Sequence, residues 1–295
     1  MTTSVDEFLS VLNITPVEGK SDMFQGDSTH KNWKRIFGGQ VIGQSLVAAQ
    51  RTVEKELLAH SLHCYFMRPG DPQTPIEFEV DRIRDGRSFC TRRVVASQNN
   101  QAIFSLGASF HIVEDGLSHQ AEMPETPMPE DLPTELEAAS KFSDDVPEKI
   151  VKSWMAERPV EMRFADFENY FDKKKKTTTN RIWFKLKGSV EGDLALHQSI
   201  LAYVSDYTLL GTAILPHGRR FYDRSIMAAS LDHSVWFHRP FKVDEWLLYY
   251  TDTPSASGAL GFCRGSIYDR AGNLIASVAQ EGLIRPIDPS RQKKK

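Results

Sequence analysis

The sequence has no run approaching the ~18 consecutive apolar residues of a membrane helix, and Asp6 and Glu7 stand where a secretion signal would be basic. These absences point to a cytoplasmic protein with no membrane span. The last four residues, Gln292-Lys293-Lys294-Lys295, also differ from a Ser-Lys-Leu peroxisomal signal, so routing there would need another signal. Cysteine is scarce: Cys64, Cys90 and Cys263 are odd in number, widely spaced and set in apolar or aromatic runs. They read as buried thiols in a reducing compartment, and none has a sequence neighbour that marks it as a nucleophile. Charge of one sign is missing as well. Thirty-six Lys and Arg against 39 Asp and Glu leave a net charge of -3, which offers no footprint for nucleic acid. The basic runs Lys173 to Lys176 and Lys293 to Lys295 are short, and the first reads as a solvated loop.

The familiar catalytic signatures are absent too. There is no G-x-S-x-G elbow, no G-x-x-x-x-G-K-[ST] loop, no G-x-G-x-x-G fingerprint and no H-E-x-x-H pair. His60 with His63, and His233 with His238, have spacings that place each pair on opposite faces of a strand, which argues against a metal site.

What is present is a duplication. Between Glu114 and Glu148 lie five of the 15 prolines, and 11 acidic residues face one basic residue, Lys141. That composition marks a connector, and the expected organisation is one unit over 1–115, a connector over 116–160 and a second unit over 161–295. Tyr65-Phe66-Met67-Arg68-Pro69 in the first half matches Trp236-Phe237-His238-Arg239-Pro240 in the second, an offset of 239 - 68 = 171. The same offset sets Ile103 on Leu274 and Ala108 on Ala279, and one slipped residue sets Arg92 on Arg264.

Each copy predicts one helix followed by strands. Helical spacing runs from Gly38 to about Arg51 and again from His197 to Leu209. Strands are expected at Ser61 to Met67, Ile76 to Ile83, Ser88 to Ser97 and Ala102 to Ile112. In the second half they fall at Ser230 to Phe237, Glu245 to Thr251, Gly261 to Tyr268 and Leu274 to Arg285. The links between strands are too short for crossover helices, so the class is α+β with mostly antiparallel sheets.

Asp206 breaks its apolar surroundings, Ile200 to Val204 and Leu209-Leu210. It is either an exposed or helix-end residue, or a desolvated carboxylate able to take a proton from water. Gln280 lies on the last apolar strand, opposite Ser109 by the offset, and is either a sheet-edge amide or a partner for a polar site. Ser230 opens the strand after the second helix, as a turn residue or as a hydroxyl that binds water.

The chain resembles the type II acyl-CoA thioesterases, which are double hotdog proteins. The likeness rests on Phe37-Gly38-Gly39-Gln40-Val41, Tyr65 to Asp71, Tyr203-Val204-Ser205-Asp206, Asp232 to Phe241 and Ala279-Gln280-Glu281-Gly282. It implies a tandem double hotdog, each unit a mostly antiparallel sheet around one long helix. It also implies that Asp206, Ser230 and Gln280 hold a water that hydrolyses a fatty acyl-CoA substrate without a covalent intermediate. This chemistry calls for no cofactor and no metal. Helix-start N–H groups are natural oxyanion donors, and Gly38-Gly39 opens the first helix, although the sequence leaves open whether it faces the second-half residues. Fused hotdog units also imply a homo-oligomer. Two rivals remain: a non-catalytic acyl-CoA binding or sensing protein, and a hotdog dehydratase. The dehydratase requires His five residues after the Asp, where this chain has Gly211.

Overall fold

The computed structural model describes residues 5–28, 33–140, 158–167, 174, 176–220, 223 and 225–287. Connector residues 141–157, Lys173, Lys175 and the terminal lysines lie outside the described residues. The elements in chain order are α1 (Val5–Leu12), β1 (Thr15–Pro16), β2 (Met23–Gly26), α2 (Gly38–Gln50), β3 (Leu57–Phe66), β4 (Ile76–Asp85), β5 (Phe89–Gln98) and β6 (Gln101–Ile112). They continue with α3 (Glu135–Ser140), β7 (Val160–Phe164), β8 (Thr179–Leu186), α4 (Leu194–Val204), α5 (Leu209–Thr212), β9 (Ile226–Ser230), β10 (Asp232–Phe237), β11 (Leu247–Ser257), β12 (Leu260–Tyr268) and β13 (Leu274–Pro286). Among the described residues no helix is long and apolar enough to cross a membrane.

The strands form one antiparallel sheet in the order β1-β2-β4-β5-β6-β3-β10-β13-β12-β11-β8-β7, with β9 paired to β13. Within it the order β4-β5-β6-β3 repeats as β11-β12-β13-β10, the paired hotdog arrangement. The halves join through β3 and β10, where Ser234 pairs with His63, Val235 with Leu62 and His233 with Cys64. Since 234 - 63 = 171, Ser234 and His63 are equivalents under the repeat, and the pairs on either side of them, Val235 with Leu62 and His233 with Cys64, exchange under it. A local two-fold axis therefore passes between His63 and Ser234, whose Nδ1 and Oγ are 3.0 Å apart. The slipped arginine match does not hold: Arg92 is buried and pairs with inward Ala108, whereas Arg264 is exposed and pairs with Ala279 on the outer face, whose counterpart by strand register is Gly107.

The two central helices are buried around nearly their whole circumference. In α2, Val41, Ile42, Leu46, Ala48 and Ala49 pack into the core, and in α4 every residue from His197 to Val204 is buried. Helices apolar on all sides belong in the middle of a molecule, and here α2 and α4 pack against each other and against the sheet. Several of their polar residues bond to backbone. Gln44 Nε2 donates to the carbonyls of Val11 and Asp27, and Gln198 Nε2 to that of Ala59. The described part of the connector is more than a link. It lies on the outer face of the second half of the sheet, where Met123 and Leu132 cover Trp183, Leu248 and Tyr268, and Trp183 Nε1 donates to the Pro127 carbonyl at 2.8 Å.

Several expectations need correction. The second helix does not reach Leu209: it runs from Leu194, capped by the Asp193 side chain on Leu196 N–H, and stops at Val204. The strand expected from Ser230 to Phe237 is two strands, and Ser230 ends the first rather than opening it. His60 and His63 lie on the same outer face, because a bulge between Ala59 and Ser61 turns His60 outward onto Ser109 Oγ at 2.8 Å. His233 points inward and His238 outward, as their spacing predicts. All three cysteines are buried and free.

The seam carries the fold, and Leu62 and Val235 on it are fully buried. Leu62→Ala is expected to cost about 2–5 kcal/mol. Urea unfolding would show this as a lower midpoint at unchanged slope, and a loss under 1 kcal/mol would mean the seam is not tightly packed.

Candidate active site

Asp206 sits on a turn just past α4. The N–H of Ser205 still donates to Leu201, and Tyr207 N–H reaches back to Val204. Thr208 then adopts φ 60°, ψ -20°, which stops the helix before α5 begins. A β-branched residue in the left-handed region is strained, and such strain clusters where geometry matters. The turn is braced from below. Ser205 Oγ donates to the Ala202 carbonyl at 2.9 Å and meets His233 Nε2 at 2.8 Å, while Tyr249 OH donates to the Ser205 carbonyl at 2.9 Å. The single Ser205 proton is already given away, so His233 Nε2 must carry the hydrogen and donate. Burial keeps that imidazole neutral, its pKa pushed down to about 3.

Gln280 on β13 joins the three expected residues. It is fully buried, and its Nε2 donates to Asp206 Oδ1 at 2.8 Å and to Ser230 Oγ at 2.9 Å. Backbone register explains how Ser230 gets there. β10 pairs Ser234 with Ala279, whereas β9 pairs Ser230 with Gly282. Four residues on one strand thus oppose three on the other, a bulge stabilised by Asp232 Oδ1 accepting from Glu281 N–H at 2.7 Å. Without that extra residue, Ser230 would face away from Gln280.

The sequence left the position of Gly38-Gly39 open, and the structure brings it to Asp206. The first-half helix α2 starts at Phe37 with no side-chain cap. Instead the Gly39 N–H donates to the Asp206 carboxylate across the boundary between the halves. The missing cap at Phe37 was the one signal that a distant acceptor serves this helix start. Both glycines are needed for close approach. A Cβ on Gly38 would sit 2.7 Å from Asp206 Oδ2, and one on Gly39 would run into the Tyr203 carbonyl.

A cavity of about 550 Å³ opens onto the site, walled by apolar residues such as Ile36, Val41, Phe66, Phe104 and Leu210. Asp206 and Ser230 line it. Burial raises the Asp206 pKa to about 7, against the opposing pull of the Gln280 and Gly39 hydrogen bonds. The buried thiols of Cys64 and Cys263 are pushed well up and to about 12, so neither supplies a thiolate.

Two stability measurements check this geometry. Gly39→Ala sets a methyl against helix backbone that cannot step aside and is expected to lower stability by about 1–3 kcal/mol in urea; a neutral result would mean α2 and α4 are less tightly packed. For Asp206 the folded pKa of about 7 exceeds the ordinary 3.8. The folded state therefore holds a proton that the unfolded state loses, and stability falls as pH rises through that window. Asp206→Asn is expected to be near neutral at pH 4 and stabilising above pH 7, by on the order of 4 kcal/mol at full ionisation. A gap that does not change with pH would place the ionised carboxylate in water.

Comparison with known proteins is consistent along the whole chain. Residues 151–283 match the family model for acyl-CoA thioesterase, and residues 28–111 match the acyl-CoA thioesterase N-terminal domain. The chain is 37% identical over 277 residues to acyl-CoA thioesterase 2 of Haemophilus influenzae, covering 94% of this chain and 97% of that one. Among solved structures it is similar to the acyl-CoA thioesterase II TesB2 of Mycobacterium marinum, at 38% identity, TM-score 0.77, and coverage of 95% and 98% of the two chains. A hot dog fold protein of Alicyclobacillus acidocaldarius shares the fold at 20% identity and TM-score 0.76, over 95% and 98%. With both halves matched by its models and relatives this similar over nearly its full length, the chain belongs to the acyl-CoA thioesterase family of thioester hydrolases.

Proposed function

We propose that this protein hydrolyses fatty acyl-CoA to a free fatty acid and CoA by direct attack of water, with Asp206 as general base. The observation that carries the reading is a buried carboxylate with a pKa near 7, held by Gln280 and the Gly39 N–H, at an apolar cavity. A base is most useful when its pKa lies near the working pH.

Asp206 takes a proton from the water, whose oxygen attacks the thioester carbon. Ser230 and Gln280 fix that water; Gln280 Oε1 is a buried acceptor with no hydrogen-bond partner among the described residues. The oxyanion forms near the start of α2, where the helix N-terminus favours negative charge. Collapse restores the carbonyl and breaks the C–S bond, releasing the acyl group as the acid and CoA as the thiol, which takes up the proton that Asp206 drew from the water. Ser230 is a poor nucleophile here, because its hydrogen-bond partner is the Gln280 amide N–H, a donor that cannot take its proton. The cavity walls suit an acyl chain.

Release of free thiol from acyl-CoAs of graded length checks the proposal. Asp206→Asn is expected to lose on the order of 10²–10³ in kcat, the scale of removing one transition-state contact. Wild-type kcat/KM is expected to rise with pH through about 7, as the base loses its proton. No thiol release from any acyl-CoA would sink the hydrolase reading in favour of acyl-CoA binding.

A further inference from the structure

We infer that Arg35 and Arg68, at the mouth of the cavity, form the anion site that receives the phosphates of a CoA thioester, an inference that rests on the hydrolase reading above. Among the described residues the two are the only cationic residues lining the cavity and Asp206 is its only carboxylate, and both arginines are exposed. They stand on two segments pinned together, since Ile36 N–H donates to the Gly70 carbonyl at 2.9 Å. Each guanidinium is tethered to backbone, and neither forms an ion pair among the described residues. Arg35 Nη2 reaches the Ala228 carbonyl on β9 at 3.4 Å, two residues from Ser230, and Arg68 Nη1 donates to the Ala102 carbonyl at 2.7 Å. A tether of this kind fixes the fork while leaving donors for an anion, and guanidinium forks match phosphate oxygens bidentately.

The repeat supplies the contrast. Arg239 is the equivalent of Arg68, since 68 + 171 = 239, and its Nη1 makes the same tether to the Leu274 carbonyl at 2.7 Å. Around it, however, the connector closes in. Ser118 Oγ lies 3.5 Å from Arg239 Nη2, and the Gln120 side chain bonds to the Gly272 carbonyl and the Leu274 N–H. One fold device therefore occurs twice, covered in the second half and open on the active cavity in the first. The tether accounts for both arginines, but the opening accounts for Arg68 alone.

The test titrates coenzyme A itself into wild type, Arg35→Gln, Arg68→Gln and Arg239→Gln by calorimetry. Glutamine keeps an N–H for the tether and removes the charge, and thermal melts confirm that each variant is folded. Arg35→Gln and Arg68→Gln are expected to weaken CoA binding roughly tenfold each, and Arg239→Gln to leave it as in wild type. In parallel, the ratio of kcat/KM for an acyl-CoA to that for the same acyl thioester of N-acetylcysteamine, which has no phosphate, is expected to fall by a similar factor in the first two variants. CoA binding as tight as wild type in both, or an equal loss in Arg239→Gln, overturns the assignment and leaves the tether as the arginines' whole role. If wild type cleaves neither thioester, the hydrolase reading fails separately, and the CoA titration still decides the arginines.

Discussion

A carboxylate drawn out of water must be held by other dipoles, and most of this molecule's particular features follow from how Asp206 is held. Its three supports come from distant parts of the chain. The Gly39 N–H belongs to a first-half helix, Gln280 to the last strand, and the brace of Ser205, His233 and Tyr249 to the turn and the sheet beneath it. The glycine pair lets two helices meet closely enough for the first support. The bulge at Leu231 and Asp232 turns Ser230 toward the second. A neutral, buried histidine steadies the third without adding a charge that would pull the aspartate pKa back down.

The repeat shows how the same scaffold does without a carboxylate. The helix starts are 194 - 38 = 156 residues apart, while the seam strands are 171 apart, so the second half has 15 more residues between helix and seam. That longer segment runs from Asp206 to Ser230. Counting back 156 residues from Asp206 gives Gln50, at the end of α2. It lies against the start of α4, donating to the Ala195 carbonyl at 2.9 Å and accepting from Ser199 Oγ at 2.8 Å. The helix start beside Gln50 is capped locally by Asp193, and the one beside Asp206 has no side-chain cap of its own. One helix start is thus satisfied from its own loop, whereas the other depends on a carboxylate from the opposite half. The constant offset sets Ser109 opposite Gln280, but Ser109 faces outward onto His60; strand register instead places the small, buried Ala108 where the second half has Gln280. A fused chain permits this divergence, which two identical subunits could not show.

The repeat, the strand positions and the three polar residues were legible in the sequence because they are local patterns or depend on a constant offset. Alternation marks a strand, and a buried amide or carboxylate stands out among apolar neighbours. The features that aim those residues were not legible. Bulges at His60 and at Leu231 shift register by one residue and reverse which face follows, and nothing in composition marks them. The end of α4 was hidden because Tyr207, Leu209 and Leu210 continue the apolar pattern past Val204, and only the conformation of Thr208 breaks it. The edge strands β1, β2, β7 and β8 went unread because they have no counterpart motif in the matched repeat.

A carboxylate with a pKa near 7 is obtained here by withholding water, and that has a structural cost which the rest of the fold must cover. The ionised form of Asp206 destabilises the folded state at working pH, and Thr208 adds backbone strain beside it. Both are tolerated because the turn is anchored where the core is densest: α4 is buried from His197 to Val204, and the seam strands beneath it hold fully buried Leu62, Val235 and His233. Loosening that region would admit water, drop the aspartate toward its ordinary pKa and relieve the strain together. Stability would rise as the carboxylate pKa fell, so the dense packing around the seam serves to maintain an unfavourable local state as well as to fold the chain.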